Sequence, residues 1–245
     1  MNFQIFCKPK INIMKRFISI CIVLSLLTSF AQAQLPTLSK KEIKQGWVLL
    51  FDGKTSAGWK HYRGKPFPEK GWVIENGVLT IDTSEGRPGD IITEEEFSDF
   101  EFSCDFRVTK GANSGIKYFI LPGSNLGCEY QIFDDESHPK AKDPSFGTQL
   151  QGALYDVIPP KGAKNKPVGE WNNARIIAKG NHVEQWLNGK KVVEFERGSD
   201  AFRAMVAKSK FKNDEKWATP VQSPILLQEH GDAVSFRNIK IRRLK

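Results

Sequence analysis

The stretch Phe100-Glu101-Phe102-Ser103-Cys104-Asp105-Phe106-Arg107-Val108 alternates apolar and polar residues without a break. Successive side chains of an extended strand point to opposite faces. Phe100, Phe102, Cys104, Phe106 and Val108 therefore share one face, and Glu101, Ser103, Asp105 and Arg107 share the other. This is the pattern of a strand with one face in a core and one toward water. Similar segments lie on both sides of it. Trp72–Glu75 and Val78–Ile81 flank Asn76-Gly77, the strongest short hairpin signal, and Asn188-Gly189 marks a second hairpin between Trp186 and Val192. Trp47 to Phe51 is an apolar run stopped by the turn dipeptide Asp52-Gly53. Further strands are predicted over residues 115–121, 128–133, 173–179, 182–187, 192–196, 225–229 and 234–242. The basic and apolar residues of the last run, Lys240 to Lys245, alternate as in a strand with one wet face.

Two short helices interrupt the series. Ser39-Lys40-Lys41-Glu42 has the spacing of a capping box, and Ser199 can cap a helix whose stripe is Phe202, Met205, Val206 and Ser209. About ten short strands separated by turn signals predict an all-β fold, a jelly-roll β-sandwich of two antiparallel sheets. Long connections such as residues 134–151 are expected to carry strands between the sheets. The Lys-, Pro- and Gly-rich residues 159–169 read as a surface loop within the domain.

The N-terminus has a different logic. Met14 is followed by basic Lys15 and Arg16, an apolar run over residues 17–27, and Ala31-Gln32-Ala33. This order of segments is that of a secretory signal peptide, and the apolar run falls short of the roughly 20 residues a membrane span needs. Met14 is the better start, because the preceding residues have no periodic pattern. Cys21 lies inside the apolar run behind Ile20, which does not suit a lipoprotein anchor. Residues 1–33 are thus expected to be an N-terminal extension with a signal peptide, and residues 34–245 a single jelly-roll domain. The protein is expected to be exported, periplasmic or extracellular, without stable membrane insertion.

Charge and cysteine content narrow the function. The formal charge of +8 includes Lys8, Lys10, Lys15 and Arg16, and without them it is +4. The remaining basic residues are interleaved with acids, so no nucleic-acid stripe is expected. Only Cys104 and Cys128 follow the cleavage point. Export permits a disulfide between them, and two buried thiols are the equal alternative. His61, His138, His182 and His230 lack zinc-motif spacing, so no metal site is predicted from spacing and no cofactor is implied.

Two segments carry candidate chemistry. In Cys128-Glu129-Tyr130-Gln131-Ile132-Phe133-Asp134, alternation puts Glu129 and Gln131 on one face and Tyr130 and Ile132 in the core. A bulge at the strand end is expected to turn Asp134 to the same side. In Leu227-Gln228-Glu229-His230-Gly231, Gln228 and His230 share a face, and His230 stands just before a glycine where its side chain can project over a groove. Histidine is the side chain best suited to proton transfer near neutral pH. Glu129, Asp134 and His230 are also chemically fit to ligate a divalent metal, although their spacing does not require one. Asn113 and Ser114 offer hydrogen bonds beside Gly115. Tyr155, Glu170 and Trp171 set aromatics beside polar groups, and Arg237 adds a guanidinium. For each residue the structural alternative is an ordinary solvated face, a core aromatic or an ion pair.

At these residues the sequence resembles the 3-keto-disaccharide hydrolase family. The resemblance rests on Gly46-Trp47 through Asp52-Gly53, Asn113-Ser114-Gly115-Ile116, Glu129-Tyr130-Gln131-Ile132 with Asp134, Gly152-Ala153-Leu154-Tyr155-Asp156, Gly169-Glu170-Trp171-Asn172, Leu187-Asn188-Gly189, Ser209-Lys210-Phe211, Leu227-Gln228-Glu229-His230-Gly231 and Phe236-Arg237-Asn238-Ile239. One departure is Glu229, where the family usually has Asp before its glycine-flanked His. The resemblance implies a concanavalin A-like jelly roll and a glycoside-cleaving hydrolase or lyase acting on 3-keto glucosides or disaccharides. Its expected catalytic residues are His230, Glu129 and Asp134. Its expected substrate-binding residues are Gln131, Gln228, Asn113, Ser114, Tyr155, Glu170, Trp171, Arg237 and Lys210.

Two other functions fit the same fold class, because fold does not decide function. One is a non-catalytic carbohydrate-binding jelly roll. The other is a β-glucanase-like glycosidase, since Glu129-x-Gln131-x-x-Asp134 echoes a Glu-x-Asp-x-x-Glu spacing with an amide in the middle. A retaining glycosidase needs two carboxyl groups about 5 Å apart. The N-terminal reading is checked by sequencing the exported protein. The expected first residue is at or near Gln34; a membrane-bound product retaining Met14 would contradict export by cleavage.

Overall fold

The computed structural model describes residue 1, residues 35–84 and residues 86–245. The predicted signal peptide falls largely on residues 2–34 and so lies outside the described residues. The unit Ala33–Lys245 contains the strands. In chain order its elements are α1 (Lys40–Lys44), β1 (Trp47–Leu49), β2 (Trp59–His61), β3 (Trp72–Glu75), β4 (Val78–Ile81), β5 (Ile91–Thr93), β6 (Phe100–Val108), β7 (Asn113–Tyr118) and β8 (Cys128–Phe133). Two 3-10 turns follow, Pro139–Lys142 and Pro144–Gln149, then β9 (Asn172–Lys179), β10 (His182–Leu187), β11 (Lys190–Glu196), α2 (Asp200–Val206), β12 (Leu226–Leu227) and β13 (Val234–Arg243).

Among the described residues the strands make two antiparallel sheets. The eight-stranded sheet runs β11-β10-β9-β6-β13-β4-β3 with β1 also paired to β13, and the five-stranded sheet runs β2-β5-β12-β7-β8. The chain crosses between sheets repeatedly, as a jelly roll requires. The apolar faces of the two sheets meet in one core. Phe102, Phe106 and Phe236 enter it from the larger sheet, and Ile116, Tyr118, Tyr130, Ile132 and Leu227 from the smaller.

Local signals explain the boundaries. Ser39 forms a complete capping box with Glu42, and Ser199 accepts the Phe202 N–H at 3.1 Å. Asn76 and Gly77 have φ of 53° and 78°, and Asn188 and Gly189 have 49° and 81°, the left-handed pairs that a tight hairpin turn needs. The predicted strand over residues 225–229 contracts to Leu226–Leu227. Gln228 N still reaches Gly115 O at 2.9 Å, but Glu229 N is taken by the Asp90 side chain at 2.9 Å, which ends the ladder. Strands β2 and β5 were not foreseen; each is only three residues long. Cys104 and Cys128 are separate buried thiols, and burial pushes Cys128 up to about 12 and Cys104 well above its ordinary range.

The polar face of β6 departs from the expectation of a wet surface. Glu101 is only 4% exposed. Its carboxylate accepts Arg175 Nε at 2.5 Å from the neighbouring strand β9 and Arg242 Nε at 2.7 Å from β13. Glu101 therefore ties three central strands together on the outside of the sandwich. Removing it leaves two cations without their counter-charge, and their partial exposure softens the cost. Glu101→Ala is expected to lower stability by about 2 kcal/mol in denaturant unfolding while leaving the fold intact.

Candidate active site

Strands β7 and β8 pair in the register Lys117↔Glu129, Gly115↔Gln131 and Asn113↔Phe133. Residues directly opposite share a face. Ile116 and Tyr130 therefore point into the core, while Lys117, Glu129 and Gln131 point to the outer side of the small sheet. Strand β12 lies on the other side of β7, and the Gln228–Gly115 backbone bond brings Gln228 and His230 to that same side.

Gly115 makes room for the key carboxylate. A Cβ at this position would stand 2.7 Å from Glu129 Oε1 and 2.9 Å from Glu129 Cγ. Only a residue without a side chain lets the Glu129 carboxyl lie across β7. There it meets Lys117 Nζ at 3.4 Å, and both residues are buried. The Lys117 ammonium also donates to Asn125 O at 3.2 Å. Burial raises the Glu129 carboxyl above its ordinary range, and Lys117, Lys210 and His230 each pull it back. Burial likewise lowers the Lys210 ammonium, against the opposing pull of Glu129 and Asp156.

These groups enclose a cavity of about 100 Å³, whose lining includes Glu129, Lys117, Gln131, Gln228 and His230. Tyr155, Lys210, Phe211 and Asn113 complete its polar and aromatic wall. Lys210 Nζ stands 4.2 Å from the centre of the Tyr155 ring, and its backbone N–H donates to Asp156 at 2.7 Å. Asn113 Oδ1 accepts Gln131 Nε2 at 3.3 Å, which leaves Gln131 Oε1 without a partner. Gln228 Oε1 is also unpartnered. Two buried amide acceptors with unused capacity beside one cavity are the kind of polar group a hydroxyl-rich ligand satisfies. His230 is exposed where the cavity wall reaches the surface.

The segment bearing His230 is held from behind. Glu229 points away from the cavity; Arg87 Nε lies 3.1 Å from both of its oxygens, and Gly231 N–H donates to it. Asp90 accepts from Glu229 N and from Asn125 Nδ2 at 2.9 Å each, which links this segment to the partner of Lys117. The longer Glu at the family's usual Asp position thus meets an arginine.

Several expected residues lie elsewhere. Asp134 does not turn toward Glu129: its carboxylate accepts the N–H groups of Gly111 at 2.7 Å and of Glu136 and Ser137 at 3.0 Å. Burial would raise this carboxyl, but those bonds hold it below its ordinary range. It lines a separate cavity with Asp135, Gln151 and Asn165. The Glu129, Asp134 and His230 metal set is therefore not gathered. Among the described residues, the cluster whose ligand atoms converge is His182, Glu184 and Glu194. Ser114 faces the core side and donates to Gln228 O at 2.7 Å, fixing β12 against β7. Trp171 is clasped between Arg107 and Arg237, whose guanidinium carbons stand 4.7 and 4.1 Å from its ring centre. Arg237 lines a polar cavity of about 430 Å³ with Ser103 and Asp105, the outward residues of β6. Glu170 is an exposed turn residue behind Pro167.

Lys117 was missed. Its signal was present, since it follows Gly115 by two residues and so shares its face, but only the β7–β8 register sets it opposite Glu129.

Comparison with known proteins agrees with this architecture. The crystal structure of a proposed glycosyl hydrolase from Parabacteroides distasonis superposes with a TM-score of 0.77 at 29% identity, covering 86% of this chain and 100% of that one. A second structure from the same organism gives a TM-score of 0.62 at 29% identity over 81% of this chain and 99% of its own. A 3-keto-disaccharide hydrolase of Bacteroides thetaiotaomicron is 31% identical, covering 91% of this chain and 87% of the relative. Residues 46–242 match the 3-keto-alpha-glucoside-1,2-lyase-like domain, and the chain belongs to that family.

Proposed function

We propose that the protein is a carbohydrate-active enzyme that cleaves 3-keto glycosides or disaccharides by removing the proton on C2. The observation that carries this reading is the convergence of Glu129, Lys117, Lys210 and His230 on one small cavity beside two unpartnered amide acceptors. Family membership and the activity named for the Bacteroides relative support the substrate class.

A ketone at C3 acidifies the C2 proton. A base takes that proton, and the C2–H electron pair forms a C2=C3 double bond with the negative charge on O3. Re-forming the C3 carbonyl drives the electrons into a C1=C2 bond and breaks the bond from C1 to the departing oxygen, which takes up a proton. Water then adds at C1 as C2 is reprotonated, giving net hydrolysis. His230 is the proposed base, because it stands at the exposed rim, where an imidazole can take the C2 proton and exchange it with solvent before C2 is reprotonated. Glu129, raised by burial, is suited to hold that imidazole or to supply the proton for the departing oxygen. Lys210 provides the cation for the developing charge on O3, where a preorganised charge is effective. Gln131, Gln228 and Asn113 orient the sugar hydroxyls. Asp134 leaves this scheme, and Lys117 enters it as the group that fixes Glu129.

A non-catalytic carbohydrate-binding role would use the same amides without the buried charges. A glycosidase of the β-glucanase type would need a second carboxylate beside Glu129, and Asp134 is committed to three backbone donors. Assay of a glucoside and its 3-keto derivative separates the readings. Turnover is expected only for the keto compound, and cleavage of the plain glucoside at a comparable rate would overturn the proposal.

His230→Ala is expected to lower kcat on the keto substrate about 10²–10⁴-fold with binding retained. Wild-type turnover by that variant would exclude His230 as the base. Gly115→Ala should cost on the order of 10²-fold in kcat/KM and also lower thermal stability, because the added methyl displaces the buried Glu129 carboxyl from Lys117. The pH profile tests the pair. Burial raises Glu129 and Lys117 lowers it. If ionised Glu129 is required, Lys117→Met should move the acid limb of kcat/KM to higher pH; a limb that stays in place would remove Glu129 from the ionisations that control the rate.

A further inference from the structure

We propose that the outer face of the β10–β11 hairpin is a divalent-cation site suited to Zn²⁺, with His182, Glu184 and Glu194 as its protein ligands. In the strand register, Glu184 pairs with Glu194, and His182 pairs with Glu196. His182 and Glu184 are two residues apart on β10, so both side chains stand on one face with the two glutamates of β11. The His182 Nε2 atom lies 3.5 Å from Glu184 Oε1 and 3.4 Å from Glu194 Oε1. Zinc–nitrogen and zinc–oxygen bonds of about 2.0–2.1 Å in a tetrahedron separate ligand atoms by about 3.3–3.4 Å. The three ligand atoms lie within 4.8 Å of one another, so side-chain adjustment alone closes the set around one ion and leaves a position for water.

The surrounding groups favour this use. His182 Nδ1 lies 3.6 Å from Glu196 Oε2, just beyond hydrogen-bond distance, so a small side-chain rotation would let Glu196 accept the Nδ1 proton and leave Nε2 free to ligate. A carboxylate behind a ligating histidine is a recurrent support in zinc sites. Glu184 is oriented in the same way, because its Oε2 accepts the Trp186 indole N–H at 2.8 Å. Lys191 opposes the ion. Its ammonium lies 3.1 Å from Glu184 Oε1 and 2.7 Å from Glu194 Oε2, and so it competes for the same charge. Strand β11 is the edge of the large sheet, and a bound ion would bridge it to β10. The site is independent of the cavity at Glu129.

Calorimetric titration of the purified chain with ZnCl₂ tests the proposal. One zinc per chain is expected, with affinity reduced at least about tenfold in His182→Ala and in Glu194→Gln. MgCl₂ should give no comparable heat, because magnesium disfavours an imidazole ligand. Lys191→Met removes the competing cation and is expected to tighten zinc several-fold; a simple salt-bridge cluster gives no such gain. Absence of saturable zinc binding would overturn the proposal, as would zinc binding that His182→Ala leaves unchanged or that Lys191→Met fails to strengthen.

Discussion

The site depends on one steric constraint, the absence of a side chain at Gly115. A Cβ there would sit 2.7 Å from Glu129 Oε1. Without it, the Glu129 carboxyl crosses the neighbouring strand and reaches Lys117 at 3.4 Å. A buried carboxylate is costly unless it is paired, and pairing across two strands also fixes their relative register, because a one-residue slip would send Glu129 and Lys117 to opposite faces. The same glycine accepts the Gln228 N–H through its carbonyl. One residue thus positions the carboxylate, admits its cation and anchors the strand that leads to His230.

The remaining polar groups follow from that placement. Glu129 is raised by burial and restrained by three cationic or potentially cationic neighbours. Lys210 is lowered by burial and packs on Tyr155. A carboxyl and an ammonium whose protonation states are drawn toward each other are suited to moving protons, and such environments are typical of catalytic sites. Behind them, Asp90, Asn125, Glu229 and Arg87 form a chain of bonds that holds the loop bearing His230. None of these four lines the cavity; their contribution is to keep its wall in place.

Much of the fold was legible because burial on one face imposes a period of two. Strands β6, β8 and β10, both Asn-Gly hairpins and the Ser39 and Ser199 caps could be read from local residue types alone. The alternation of β8 also put Glu129 and Gln131 together correctly. Long-range pairing was not legible. Lys117 could be recognised only once β7 lay beside β8, and Glu101 only once Arg175 and Arg242 flanked it. Asp134 misled because strand parity ends at Phe133, and the turn that follows offers three N–H donors that capture its carboxylate. Trp171 and Arg237 look like sugar-binding groups in sequence, yet Arg237 is on β13 of the larger sheet and Trp171 immediately precedes β9 of that sheet, where they stack on each other instead of facing the cavity.

The central claim is that bond cleavage proceeds through loss of the C2 proton inside this cavity. Running the reaction on a 3-keto glucoside in D₂O, and following the released sugar by NMR against an enzyme-free control, tests that claim most directly. Elimination followed by hydration is expected to leave deuterium on C2 of every product molecule at early times. A product that retains its original C2 hydrogen would show that C1 is attacked directly, and would contradict the role assigned here to His230 and Glu129.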